Sequence, residues 1–215
     1  MTIVRFLLIY VVVLALGVGA TALGVPQTVS LTVFSFLAMA IVIGYMYSMT
    51  SAKNTKWTLR AISFQKKSPM FAYIFAVRDG DLTDELEAIE RIEKKVKNPQ
   101  TVLDYQFIKA MRLGDLNGAK VIIGTMKTSP RKRFNIAIHE AAAKKYGVAR
   151  SYKLDFFWME HYVEACIANV QGNKEKYEEY MKLAIDDSKG LQRLTNESLY
   201  ARDLREWEKK HPRKK

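Results

Sequence analysis

Two apolar runs open the chain, Phe6 to Gly24 and Thr28 to Met49, with only Val25, Pro26 and Gln27 between them. Each is about the length a helix needs to cross roughly 30 Å of hydrocarbon, and with Arg5 at the boundary neither holds a charge. The pattern predicts a two-helix membrane hairpin within residues 1–50, with spans of about 5–24 and 28–49. The period then changes. Trp57, Ala61 and Phe64 recur at helical spacing, flanked by Lys56, Arg60 and Lys67, which predicts a short amphipathic helix at headgroup level within a basic juxtamembrane segment, residues 51–67.

From Ser68-Pro69 onward the strong patterns are helical. Apolar residues run to Val77 and break at Asp79-Gly80-Asp81; Leu82, Leu86, Ile89, Ile92 and Val96 then form one stripe, with Asp84 and Glu85 suited to a helix N-terminus and Asn98-Pro99 as its end. A second pair follows, Thr101 to Leu113 and Leu116 to Lys127 about Gly114-Asp115, closed by Ser129-Pro130. Residues 131–153 are the least regular: Ile136, Ala137, Ala141 and Ala142 offer a helix, with Gly147 as its end. Leu154, Trp158, Tyr162, Ala165 and Cys166 make the next stripe, and Tyr177, Tyr180, Met181, Ala184 and Ile185 another beyond Gln171-Gly172-Asn173. Leu191, Leu194, Ala201, Leu204 and Trp207 predict a last helix, ahead of a basic tail at residues 209–215. The run Val121-Ile122-Ile123 has helix formers on both sides and no partner hairpin, so residues 68–208 read as one all-α domain.

Charge sets the topology. Residues 1–67 hold six basic and no acidic side chains, leaving 28 basic against 22 acidic for the remainder, so half of the net +12 lies at the membrane. The inter-span loop has no Lys or Arg, whereas the segment after the second span carries Lys53, Lys56, Arg60, Lys66 and Lys67. The positive-inside rule then places the N-terminus and the C-terminal domain in the cytoplasm of a cell inner or plasma membrane, and makes those five residues candidate contacts for anionic lipid headgroups. Ala20-Thr21-Ala22 also resembles a signal-peptide processing site; cleavage there would leave the second span and its cytoplasmic flank in place.

Few residues offer catalytic chemistry. His139-Glu140 opens like a zinc-protease helix, but the second ligand position is Ala143. Glu160-His161-x-x-Glu164 lacks further His or Cys, and the lone Cys166 reads as a small hydrophobe. Gly17-x-Gly19-x-x-Ala22 matches a dinucleotide fingerprint in letters only, since it lies inside the apolar run; with the pairs Ala15/Gly19 and Ala40/Gly44 it reads instead as close helix packing. The expectation is a non-enzyme without cofactor or metal. The aromatics Phe156, Phe157, Trp158, Tyr162, Tyr177 and Tyr180 read mostly as core. Lys127 to Lys153 holds eight basic residues against Glu140 alone; of these Arg131, Lys132, Arg133, Lys144, Lys145, Arg150 and Lys153 are candidate contacts for a partner or polyanion.

The turns Asp79-Gly80-Asp81-Leu82 and Leu113-Gly114-Asp115-Leu116 stand 34 residues apart, each between two amphipathic helices. That is the tetratricopeptide period. Residues 66–131 resemble two degenerate tetratricopeptide repeats, keeping Ala119 and Pro130, and Gln171-Gly172-Asn173 looks like the turn of a third unit, with Ala184, after a longer insertion. The large aromatic and Leu-Gly pair of each first helix are absent, and a compact helical bundle is the alternative fold. With its hairpin, the chain resembles membrane-anchored bacterial tetratricopeptide adaptors of the cell envelope in architecture. That resemblance implies a scaffold that binds a protein partner on a helical-repeat surface. The alternative is a membrane-tethered nucleic-acid or ribosome-binding module using residues 127–153 and the tail. Partner, pathway and oligomeric state are left open.

Overall fold

The computed structural model describes the backbone of residues 2–210 and the side chains of residues 11–13 and 15–209. Over these residues the fold is all-α, without a strand. Most of the basic tail, residues 211–215, lies outside the described residues.

Helices α1 (Thr2–Ala22) and α2 (Gln27–Thr50) pack on one another across a turn in which Gly24 takes φ 88°. Only α2 is long and apolar enough to cross a membrane among the described residues; the apolar stretch of α1 within them is the shorter Val11–Ala22. Gly17 sets the close approach, because a Cβ there would stand 3.2 Å from the Phe34 ring. Gly19 and Gly44 meet nothing within 4 Å, so the close packing expected of Ala15/Gly19 and Ala40/Gly44 is not made inside the hairpin. On α2 only Ser30 and Ser48 are buried, while Phe36 is 68% and Met46 59% exposed. Apolar surface costs about 25 cal/mol per Å² in water, a penalty that hydrocarbon removes.

Helix α3 (Thr55–Ser63) starts at Asn54, whose side chain accepts the Lys56 amide. Thr58 Oγ1 donates to the Ser48 carbonyl at 2.7 Å and Ile62 is fully buried beside Ile74 and Leu194. These contacts turn Trp57 and Phe64 outward, at 65% and 72% exposure.

Four helix pairs follow: α4 (Pro69–Asp79) with α5 (Leu82–Lys95), α6 (Pro99–Arg112) with α7 (Leu116–Thr125), α8 (Pro130–Ala142) with α9 (Tyr146–Ser151), and α10 (Phe157–Val170) with α11 (Lys174–Asp186). Local chemistry explains the boundaries. Pro69, Pro99 and Pro130 each sit at a first helical position, where the missing amide costs nothing, so Asn98-Pro99 and Ser129-Pro130 start the following helices as well as ending the preceding ones. Asp81, Asp115 and Asn173 cap the second helices through backbone amides; Asp81 and Asp84 form a reciprocal capping box.

Residues 131–153 differ from expectation. The first helix there ends before Lys144, which stands at φ 62°, and Gly147 lies inside α9 rather than stopping α8. Lys144 occupies the left-handed position that Gly114 and Gly172 hold after α6 and α10. The supposed insertion is therefore another helix pair, whose turn carries Lys where its neighbours carry Gly.

Small cores join each pair to the next. Ile89 and Ile92 pack beside Tyr73 and Tyr105, Ala119 and Ile123 beside Phe107 and Ile138, and Val163 and Ile167 beside Phe134 and Ala149. The last helix, α12 (Gly190–Lys210), packs on α4 and α11 as well as on α2 and α3. It joins the first pair of the array to the last, as a chord joins the ends of an arc.

Candidate functional site

Between α12 and the inward faces of α4, α6, α8 and α10 lies a cavity of about 830 Å³. Each of these helices supplies an aromatic residue: Tyr73 from α4, Tyr105 from α6, Phe134 from α8, and Trp158 and Tyr162 from α10. Tyr73 and Tyr105 meet edge to face at 5.1 Å, and Phe134 meets Trp158 at 5.2 Å and Tyr162 at 5.6 Å. This interlocking holds the wall in one shape, because edge-to-face ring pairs contribute about 0.5–1.5 kcal/mol beyond the area they bury.

A row of charges runs along the α12 side. Glu85 has no exposed surface, yet its carboxylate accepts from Arg112 Nε at 3.1 Å and from Arg202 Nη1 at 3.1 Å. Arg112 also donates to Glu206 at 2.8 Å, Arg202 to Asp203 at 2.8 Å, and Tyr177 Oη to Asp203 at 2.6 Å. Burial works against the Arg202 charge, but Asp203 and Glu85 outweigh it and raise its pKa above the ordinary guanidinium value. Burial likewise pushes the Tyr105 hydroxyl and the Cys166 thiol each up to about 12. Cys166 is thus a protonated thiol in the cavity wall.

The opposite corner is less saturated. Asp104 accepts from Asn135 Nδ2 at 3.0 Å and has Arg131 at 3.8 Å, a longer contact than a direct charged hydrogen bond. Burial raises its pKa above the usual carboxylate value, against the pull of Arg131 and Asn135. Arg131 lies 5.7 Å from the centre of the Phe134 ring, within cation–π range. The corner pairs a desolvated carboxylate with a guanidinium beside an aromatic ring.

The basic residues expected to form one binding stretch are dispersed and mostly engaged. Arg133 pairs with Asp155 at 2.5 Å, Lys145 with Glu140 at 3.4 Å, and Arg150 grips Glu164 through two hydrogen bonds of 2.6 and 2.8 Å. Lys132 Nζ donates to the Met126 carbonyl at 2.7 Å. Among the described residues, Lys144 and Lys153 are exposed and make no ion pair, and of the set only Arg131 lines the cavity. The set that follows α2 behaves differently, since Lys53, Lys56, Arg60, Lys66 and Lys67 are all exposed, with Lys66 4.9 Å from the Phe75 ring centre.

The two described histidines, His139 and His161, each meet a neighbouring oxygen. His139 Nε2 lies 3.0 Å from the Leu116 carbonyl, and His161 Nε2 lies 3.2 Å from Asp187 while Glu164 is held by Arg150. Among the described residues no group of three His, Cys, Asp or Glu side chains is placed to hold a metal. The aromatic cluster divides: Trp158, Tyr162 and the buried Tyr177 line the cavity, whereas Phe156 and Phe157 are 55% and 74% exposed, contrary to a core reading of those two.

Arg202 and Asp203 line the cavity and Glu85, which is not part of the lining, accepts from Arg202; none of the three stands out in the chain. A signal does exist for Glu85, which precedes Ile89 by one turn and Ile92 by two, so a carboxylate sits on the buried stripe of α5. Read as an N-terminal acidic residue favourable to the helix dipole, it hides its second role. No protein-family model, curated protein or solved structure matches this chain.

Proposed function

We propose that the chain is a membrane-tethered, non-enzymatic scaffold whose cytoplasmic helical array takes a segment of a protein partner into the cavity beneath α12. The observation that carries this reading is the cavity itself: about 830 Å³ walled by interlocked aromatic rings contributed by successive inner helices. A concave row of this kind presents apolar area with a few placed polar groups, the combination that binds peptide side chains. The resemblance to tetratricopeptide arrays at the 34-residue turn spacing supports the same conclusion. Both apolar runs cross the membrane in this reading, which leaves the N-terminus and the array on the cytoplasmic side.

The nucleic-acid alternative loses ground because Arg133, Lys145 and Arg150 are spent on the protein's own carboxylates. The experiment is photo-crosslinking in intact cells from a reactive amino acid placed at Ile138, on the cavity wall, and at Val121, which is 70% exposed on α7. The scaffold reading expects one recurrent adduct from position 138, absent at position 121 and lost when Cys166→Trp fills the cavity. Repeated runs with no cavity-specific adduct would overturn it.

A further inference from the structure

The outward face of α3 carries chemistry that the cavity does not use. Trp57 and Phe64 are two of the most exposed large apolar residues outside the hairpin, and each lies one turn from Arg60 on the same face. Lys53, Lys56 and Lys67 flank them, and among the described residues none of these three lysines, nor Arg60, forms an ion pair. In a soluble protein, long cations beside exposed indole and phenyl rings would leave apolar area in water without return. Beside a transmembrane helix the same set matches the headgroup layer, where aromatic rings settle at the interface and cations meet lipid phosphates.

The attachment of α3 fixes how that face is presented. The helix is tied to the end of α2 through the Thr58–Ser48 hydrogen bond, and Gln65 Nε2 donates to the Tyr45 hydroxyl at 3.0 Å one turn before Ser48. Its other face is buried against α4 and α12 through Ile62, Ile74 and Leu194. The face therefore cannot swing away from α2 without breaking buried contacts.

We infer that the Trp57, Arg60 and Phe64 face of α3, with Lys53, Lys56 and Lys67, is a binding surface for anionic phospholipid headgroups of the bilayer that α2 spans. Bound lipid there holds the helical array in one pose against the membrane. The inference rests on the reading that α2 spans a bilayer, but not on the binding role given to the cavity, with which this surface shares no residue.

The test uses the full-length chain in nanodiscs of phosphatidylcholine alone or mixed with phosphatidylglycerol. A nitroxide on Phe64→Cys, in a Cys166→Ser background, reports depth through its relative collision rates with oxygen and with a water-soluble nickel chelate. The expected result is a label at headgroup depth in the anionic discs and nearer water in the neutral ones. The combined substitution Lys56→Gln and Arg60→Gln should lower the docked-to-undocked ratio about twenty-five-fold, at roughly fivefold for each cation near an anionic surface. Both side chains are exposed, so unchanged circular dichroism should confirm that the variant folds. As a second measurement, salt should displace the label of the unsubstituted protein from anionic discs. A label equally exposed to water in both lipids, or indifferent to the substitutions and to salt, overturns the inference. So does docking in neutral discs that appears only when soluble RNA is added, because the face would then serve a different polyanion.

Discussion

The amide of Gly190 donates to the carbonyl of Ala52 at 2.8 Å, joining the start of α12 to the chain just beyond α2. Gly190 stands at φ 54°, and a Cβ there would fall 2.1 Å from the Met49 carbonyl oxygen. Both the backbone conformation and the space demand glycine. Gly190→Ala is expected to destabilise by at least about 1–2 kcal/mol from the left-handed conformation alone. It should also separate the two segments, seen as faster proteolysis at residues 51–54 and a lower Tm in detergent.

Breaking the Glu85 cluster should be far costlier than breaking a surface pair. Glu85→Gln leaves two arginines facing a neutral amide, although Glu206 and Asp203 still serve them. The expected loss is about 3 kcal/mol, the lower end of the range for removing one partner from a buried pair. Arg91→Ala, which removes a pair to Glu87 exposed on both sides, should change stability by no more than about 0.5 kcal/mol. Urea denaturation of both variants compares them directly.

Asp104 gives the array a defined pH dependence. Its folded-state pKa lies above the ordinary value near 3.8, so the folded state holds this proton more tightly than the unfolded chain does. The stability linked to that proton is complete below the unfolded value and is lost as pH rises through the folded one. Asp104→Asn, which keeps the shape without the charge, should therefore raise Tm at pH 7, and the gain should fade as pH falls toward 4. A gain that instead grew on acidification would show that pairing with Arg131, not burial, governs this carboxylate.

Lys144 occupies a left-handed position that two sister turns fill with glycine. Lys144→Gly should stabilise by up to about 1 kcal/mol, since relief of the backbone strain outweighs the added freedom of the unfolded chain. A chemical denaturation midpoint that moved down would show that the Lys144 side chain makes a compensating contribution.

Helix boundaries were legible in the chain wherever a polar cap and a proline or glycine coincided, as at Asn98-Pro99 and Gly114-Asp115. They failed at Lys144, because nothing local distinguishes a lysine in the left-handed region from one in a helix, and Gly147 offered a false stop. The stripe of α10 identified Trp158 and Tyr162 as inward residues. It did not say that inward meant a cavity, because that depends on α12, whose path across the array is set by contacts such as Arg202 with Glu85, 117 residues apart. The partners of the basic stretch after Lys127 could not be paired from the chain for the same reason: Asp155, which meets Arg133, lies in the segment between α9 and α10, and Glu164, which meets Arg150, lies on α10.

The path of α12 also determines how the array comes apart. An open stack of helix pairs touches only its nearest neighbours, so its ends can fray while its middle persists. Here the final helix fastens the first pair to the last, and neither end is loose. Hydrogen exchange should therefore find the amides of α4 and α11 opening together, with one free energy, in the same global event that releases α12. Until its closing helix is in place, the array has two unprotected ends; afterwards it has none.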